Sequence, residues 1–375
     1  MKRRTIALLL GAFPLLLASC GKGEIPLSSY IETLDVFSGK DTAKVLQLTD
    51  LHWTYGTDVP RQKAYLDALL TNSSPDLVVF TGDNSMLANT KTISSFVSTM
   101  DELAKKHHFR YATTYGNHDR QGFYHRNAWR DAFLKSEYAI CKEVDDELSG
   151  DSNFAISLTK GEETKWNIVL IDSNSYTQLQ ASRYDYDVIH DDQIRWYEEV
   201  QEEAQNVPNL VYCHIPLHEL EFAFRLAGDK GESLEEGKGR PGTGSAPGFL
   251  SRYSGVMLEK DSISSEELGV SRSYVGYKRT SMFAKMSEHN GKGVFFGHDH
   301  VNDFIAEYSL EETSPKIAIG YGLKTGDGLY FQEGMIGGTL SEIAVDGSVH
   351  FTRCYQSYQD SYEGGNGFSQ EEVFA

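Results

Sequence analysis

Five short polar stretches, each directly after an apolar run of strand character, constrain this chain more than any other feature. They are Asp50-Leu51-His52, Gly82-Asp83-Asn84, Gly116-Asn117-His118-Asp119, His214, and Gly297-His298-Asp299-His300. Carboxylate, carboxamide and imidazole are the donor types of a two-metal centre. Two ions about 3.5 to 4 Å apart need several such ligands and one shared carboxylate, more than a single helix can present. A fold in which distant strand ends converge meets that demand.

Spacing within the stretches supports the idea. Residues two apart lie on the same side of an extended chain, so Asp50 with His52, and His298 with His300, can each reach one ion. Asp83 follows Gly82, which permits close backbone approach, and a carboxylate there can bridge two ions. Asn117 offers a neutral oxygen and His214 an imidazole. Each stretch alone is weak, since Gly-Asp is an ordinary turn dipeptide. Their joint order carries the reading.

The intervening pattern alternates strand and helix. Val45 to Thr49 reads as a strand, Arg61 to Leu70 as a helix, Leu77 to Thr81 as a strand, Ile93 to Lys106 as a helix and Phe109 to Tyr115 as a strand. Phe154 to Leu158 and Trp166 to Asp172 follow as neighbouring strands, then a helix capped by Asp191 and running to Ala204, then the strand Leu210 to His214. A helix near Ser281 to His289, the strand Val294 to Phe296 and short strands to about Arg353 complete the pattern. This alternation predicts layered α/β architecture. With 40% hydrophobic and 24% charged residues, the composition is that of a globular protein.

The flanks and one long interior stretch differ. Residues 1–19 carry Lys2, Arg3 and Arg4, then the apolar run Ile6 to Leu17, and end at Leu17-Ala18-Ser19-Cys20. This resembles a bacterial lipoprotein signal, which implies acylation of Cys20 and a membrane-anchored protein outside the cytoplasm. The run is short for a membrane-spanning helix. Residues 20–40 are expected to be the lipidated N-terminus and tether, 41–354 the domain, and 355–375 a polar C-terminal tail. Within the domain, residues 219–272 are rich in Gly, Ser and Glu and are expected to form a lid-like insert.

Charge narrows the ligands. The formal net charge is −19, and removal of three basic residues with the signal takes it to −22. Such a field opposes a nucleic-acid backbone but not a small phosphorylated substrate beside metal ions. Without Cys20, three cysteines remain, with no metal-type spacing; Cys213, inside an apolar run, reads as a buried free thiol. Pro216 between His214 and His218 disfavours a zinc-binding helix there. His107 and His108 read as helix-end residues, and the run Gly239 to Gly244 lacks a P-loop lysine. Tyr184 and Tyr186, and the stretch Tyr274 to Tyr277, could line a pocket, with surface or core packing the plainer reading.

From Val45 to Phe304 the motifs resemble those of the calcineurin-like metallophosphoesterase superfamily. That resemblance implies a β-sandwich of two mixed sheets flanked by helices, and two divalent or trivalent ions (Mn, Fe or Zn). One ion would be held by Asp50, His52, Asp83 and His300, the other by Asp83, Asn117, His214 and His298. It further implies phosphate-ester hydrolysis by a bridging hydroxide, with His118 facing the substrate. Asp119 either orients His118 or caps a turn. The stretch Gly297 to Phe304, with Thr81 to Asn84 and Gln193-x-x-Trp196, looks most like the branch labelled purple-acid-phosphatase-like. Met86 stands where true purple acid phosphatases place a metal-binding tyrosine, so no iron-tyrosinate centre is expected. A non-enzymatic surface lipoprotein using the fold as a binding module is the competing expectation. Oligomeric state is not legible.

Overall fold

Leu77–Thr81 is buried at every position, so this strand must be covered on both faces, as in the interior of a parallel sheet. The computed structural model shows how. It describes residues 25–121, 126–142, 148–180, 183–217, 219–220, 223, 249–250, 281–303, 305–331 and 334–373. In chain order the elements begin β1 (Ile31–Asp35), β2 (Thr42–Leu48), α1 (Val59–Ser73), β3 (Leu77–Thr81), α2 (Thr90–His107), β4 (Arg110–Thr114), α3 (Arg126–Phe133) and β5 (Ala139–Ile140). Next come β6 (Phe154–Lys160), β7 (Glu163–Leu170), the hairpin β8 (Tyr176–Gln180) and β9 (Arg183–Tyr186), α4 (Asp191–Glu203) and β10 (Asn209–Tyr212). The remainder is β11 (Phe249–Leu250), α5 (Ser281–Glu288), β12 (Gly291–Phe296), β13 (Ile305–Tyr308), β14 (Ile317–Tyr321), β15 (Gly337–Ala344), β16 (Val349–Gln356), α6 (Tyr358–Glu363) and β17 (Phe368–Val373).

Two mixed sheets stack face to face, as the motif resemblance implied. One has the order β1-β6-β7-β10-β12-β14-β13-β11, the other β17-β16-β15-β2-β3-β4-β5. Three apolar clusters fill the layers. Leu77, Val79, Ile168, Leu210 and Phe295 lie between the sheets. Leu66, Phe96, Met100 and Trp129 lie between the second sheet and α1, α2 and α3. Ile194, Tyr197, Met282 and Phe283 close the other face with α4 and α5.

Local chemistry sets the helix ends. The Asp58 side chain accepts from Arg61 N–H at the start of α1, and Asn89 accepts from Lys91 and Thr92 at the start of α2. Lys105, Lys106 and His107 crowd the last turn of α2, and His108 closes it in the left-handed conformation. Helix α4 differs from expectation: His190 is its N-cap, its N–H donating to Gln193 Oε1 at 2.9 Å, and Asp191 lies in the first turn.

Both flanks also depart from expectation. The tether expected to reach residue 40 is already strand by Ile31, pairing in parallel with β6. The tail expected from residue 355 contains α6 and the edge strand β17, which pairs with β16 and buries Val373. Both edges are short strands rich in polar residues, whose weak alternation hides them in sequence. The expected signal and most of the 219–272 insert lie outside the described residues. Among those residues no helix is long and apolar enough to cross a membrane. Cys141, Cys213 and Cys354 form no disulfide with one another, and Cys213 and Cys354 are fully buried.

Candidate metal centre

Every motif sits at the carboxyl end of a strand. Asp50, Asp83, His214 and His298 each come two residues after the last residue of β2, β3, β10 and β12, and Asn117 three after β4. These five ends lie side by side, two sheets contributing to one spot. Hydrogen bonds lock them: Asp50 N–H to Gly82 O at 3.1 Å, His52 N–H to Asp83 O at 2.9 Å and Gly297 N–H to His214 O at 3.0 Å.

The backbone is bent hard to achieve this. Asp50, His52, Asp83 and His298 all have positive φ, between 47° and 79°, a conformation that costs non-glycine residues of order 1–3 kcal/mol each. Such strain persists where the surroundings over-determine it. Gly116 shows how tightly: a Cβ there would lie 2.2 Å from Asp83 Oδ1. Gly82, at φ 93°, would bring one within 2.7 Å of His214 Nδ1.

Two donor groups result. Asp50, His52 and His300 form one, and Asp83, His214 and His298 the other, with the ligand atoms of each within 4.8 Å of one another. In the first, His52 Nε2 lies 2.9 Å from His300 Nε2, and Asp50 Oδ1 lies 3.4 Å from His300 Nε2 and 3.8 Å from His52 Nε2. In the second, His214 Nε2 lies 3.3 Å from Asp83 Oδ2 and 3.1 Å from Asn117 Oδ1. Ligands about 2.0–2.1 Å from a shared ion stand roughly 3.0 to 3.4 Å apart. The separations of 2.9 to 3.4 Å fit such spheres, while His52 Nε2 and Asp50 Oδ1, 3.8 Å apart, stand wider. Asp83 Oδ2 also lies 3.8 Å from His52 Nε2, so one oxygen faces both groups.

The donor set passes a further test of fit. Asp50 Oδ1 is buried without a hydrogen-bond partner, while Oδ2 accepts from Thr49 Oγ1 and from His298 N–H. An orphaned carboxylate oxygen among imidazole nitrogens suits a cation. His214 Nδ1 donates to Thr81 O at 2.8 Å and His300 Nδ1 to Tyr330 O at 2.9 Å, which turns each Nε2 lone pair inward.

Electrostatics agree. Burial opposes charge on Asp50 and Asp83, but the surrounding imidazoles hold both well below the ordinary carboxylate range. Burial also opposes charge on His214, yet neighbouring Asp83 and Asp50 push it up to about 10. Burial drives His52 and His298 down to about 3, leaving their rings neutral. The cluster thus keeps neutral imidazoles ready to coordinate, and holds on His214 a proton that a metal ion can replace.

His118 stands beside the ligands. Its Nε2 is 3.9 Å from Asp83 Oδ2, its side chain is 27% exposed, and its N–H donates to Asp83 Oδ1 at 2.8 Å. Its Nδ1 meets Gln121 Oε1 at 2.9 Å, so Gln121 orients the ring. Asp119 does other work. Its carboxylate accepts from the N–H groups of Asn84, Ser85 and Gly116 and from Asn84 Nδ2, tying the second motif to the third. The turn-forming alternative is the one its contacts support. Burial first, then the Asp83 charge, raises Asp119 to about 7.

Four further residues escape the motif reading. Lys324, 1% exposed, donates from Nζ to the Asp50 carbonyl at 2.5 Å, and burial pulls it down to about 8. Nothing local in Gly322-Leu323-Lys324-Thr325 announces this, because the contact spans 274 positions. Tyr330 stacks on His300 with ring centroids 4.3 Å apart, and Tyr186 packs edge-on against His298 at 4.5 Å. Tyr176 stacks on Tyr186 at 5.1 Å. Of these, Tyr186 was the one whose sequence context suggested a pocket wall. His218 and Tyr274 to Tyr277 lie outside the described residues.

Comparison with known proteins then decides the family. The calcineurin-like phosphoesterase family matches residues 43–302. The chain belongs to it. Among curated relatives, this phosphoesterase is 25% identical to "Probable inactive purple acid phosphatase 14" of Arabidopsis thaliana over 70% of this chain and 67% of that one. It is 24% identical to "Phosphatase DCR2" of Saccharomyces cerevisiae over 47% of this chain and 35% of that one. Among solved structures, GAP50 of the Plasmodium inner membrane complex covers 89% of each chain at 14% identity and a TM-score of 0.46.

Proposed function

We propose that this calcineurin-like phosphoesterase hydrolyses esters of phosphate through a binuclear metal centre. The observation that carries the proposal is Asp83 Oδ2, which faces His214 Nε2 at 3.3 Å and His52 Nε2 at 3.8 Å, members of two separate donor groups. Asp50, His52, Asp83 and His300 would hold one ion, and Asp83, Asn117, His214 and His298 the other. Donors of this kind accept Mn, Fe or Zn. When bound, such ions supply a water deprotonated near neutral pH and positive charge opposite the phosphoryl oxygens.

The chain's own groups do the rest. Asp83 and Asp50 stand on a strand-end platform where they would hold the ions, and the strained turns keep the two carboxylates in place. His118 is part-exposed and steered by Gln121, whose Oε1 accepts from Nδ1, so that Nε2 faces the centre, where the leaving oxygen would lie. Lys324 secures the Asp50 peptide from behind. The acidic surface discourages nucleic acid and leaves small phosphorylated compounds as substrates. We further place the protein outside the cytoplasm on a Cys20 lipid anchor, a reading supported by the basic start, short apolar run and Leu-Ala-Ser-Cys box.

A second reading has its own support. Three relatives carry the word "inactive" in their names, which favours a binding module. Against it, all seven ligand residues are present and convergent here. Metal analysis of the purified protein, with hydrolysis of an aryl phosphate by wild type and His118→Ala, separates the two. About two metal equivalents with turnover support the enzyme; metal without turnover of mono- or diesters supports the module.

A further inference from the structure

Lys324 is a buried cation without a matching anion at contact distance. Its backbone is pinned between Thr49 and Ile336 by isolated bridges on either side, and its Nζ meets a carbonyl, that of Asp50, at 2.5 Å. Among the described residues it forms no ion pair. A lone buried ammonium is costly unless the field around it is negative.

That field comes from the metal centre. Burial opposes the charge on Lys324, while Asp50, Asp327 and Asp83 support it, in that order. Two of these three are ligand carboxylates. Asp327 is part-exposed on the wall of a surface cavity, so water screens it. The influence also runs the other way: burial opposes charge on His52 most, and Lys324 adds to it. The ammonium therefore acts on the donor group of Asp50, His52 and His300.

Charge counting shows what this does to an ion. Asp50 and Asp83 bring two negative charges, Lys324 returns one positive, and Asn117 and neutral imidazoles add none. A fixed cation in a buried site penalises every further unit of positive charge placed near it, more strongly than it would in water. We infer that Lys324 restricts the position formed by Asp50, His52, Asp83 and His300 to a divalent ion, so that iron bound there is kept ferrous. The inference rests on the binuclear reading above. Buried behind Asp50, Lys324 reaches no substrate and is a positioning residue that works through its charge.

A redox titration tests it. The full chain is loaded anaerobically with ferrous iron at neutral pH, as wild type, Lys324→Gln and Lys324→Arg. Gln keeps a donor for the Asp50 carbonyl and removes the charge; Arg keeps both. The ferric/ferrous potential, followed by Mössbauer spectroscopy, should fall by at least about 59 mV in Lys324→Gln, a tenfold shift for one electron, and by less than half as much in Lys324→Arg. A smaller fall in Lys324→Gln overturns the inference, as does a fall of similar size in Lys324→Arg. Should Lys324→Gln fail to fold, wild type decides alone: equilibrated with ascorbate, its bound iron should be wholly ferrous, and a persisting ferric ion refutes the proposal. A wild type that takes up no iron, manganese or zinc defeats the binuclear reading and this inference with it. Two bound irons with an unmoved potential in Lys324→Gln defeat this inference alone and leave the hydrolase reading standing.

Discussion

Asp83 illustrates how much one side chain is asked to do. Its Oδ1 accepts the His118 N–H while Oδ2 faces both donor groups, all at φ 47°. Asp83→Asn keeps the shape and removes the charge, so metal content should fall from about two ions to one or none, measured by elemental analysis after gel filtration. His118 is not a ligand in this scheme. His118→Ala should therefore leave metal content intact while kcat on an aryl phosphate drops by about 10²–10⁴, the usual span for a proton-transfer group. An equal loss of metal would show that His118 acts on the centre itself. A third residue, away from the centre, gives a pH signature. His190 Nε2 lies 3.1 Å from Asp187, whose hydrogen bond is the main cause of a raised His190 value. A group whose folded value exceeds its unfolded value of about 6.5 stabilises the fold in acid, and this contribution disappears as pH rises through the folded value. Denaturant midpoints compared at pH 5.5 and pH 8.5 should differ less in Asp187→Asn than in wild type, by that contribution.

At the level of elements, the two ends of the chain matter more than their composition suggests. Tyr358, in the short helix α6, is 4% exposed, packs its ring 5.5 Å from that of Tyr65 and lies under the Arg61 guanidinium. Tyr358→Ala should cost about 3–5 kcal/mol, the range for truncating a buried aromatic residue, read from urea denaturation. A dispensable tail would show no change. The central helices and parallel strands were legible because their buried faces recur with a clear period, as in Ile93, Phe96, Val97, Met100 and Leu103 of α2. The strand Leu77–Thr81 has the predicted bounds, since an unbroken apolar run ends in glycine. Edge strands β1 and β17 were not legible: one face is wet, the runs are short, and their partners lie more than a hundred residues away in β6 or are set by pairing with β16.

For the molecule as a whole, the centre joins both sheets, so bound ions should act as a cross-link between them. Chelation should then lower the melting temperature as well as activity, with recovery on adding Mn or Zn, because ligands that bind only the folded state stabilise it by mass action. A melting curve indifferent to chelator would mean that the strand ends are held without metal. Sequence alone picked out the acidic, carboxamide and imidazole residues that the fold brings together, their place in strand-end motifs and the family they resemble, because donors of that kind are few and each stretch follows an apolar run. Only the tertiary structure decided that Asp119 ties two motif turns together, that Gln121 steers His118, and that Lys324 supports Asp50 from 274 residues away. Hydrogen bonds of that sort depend on where folded loops meet. No local pattern of hydrophobicity or spacing records it.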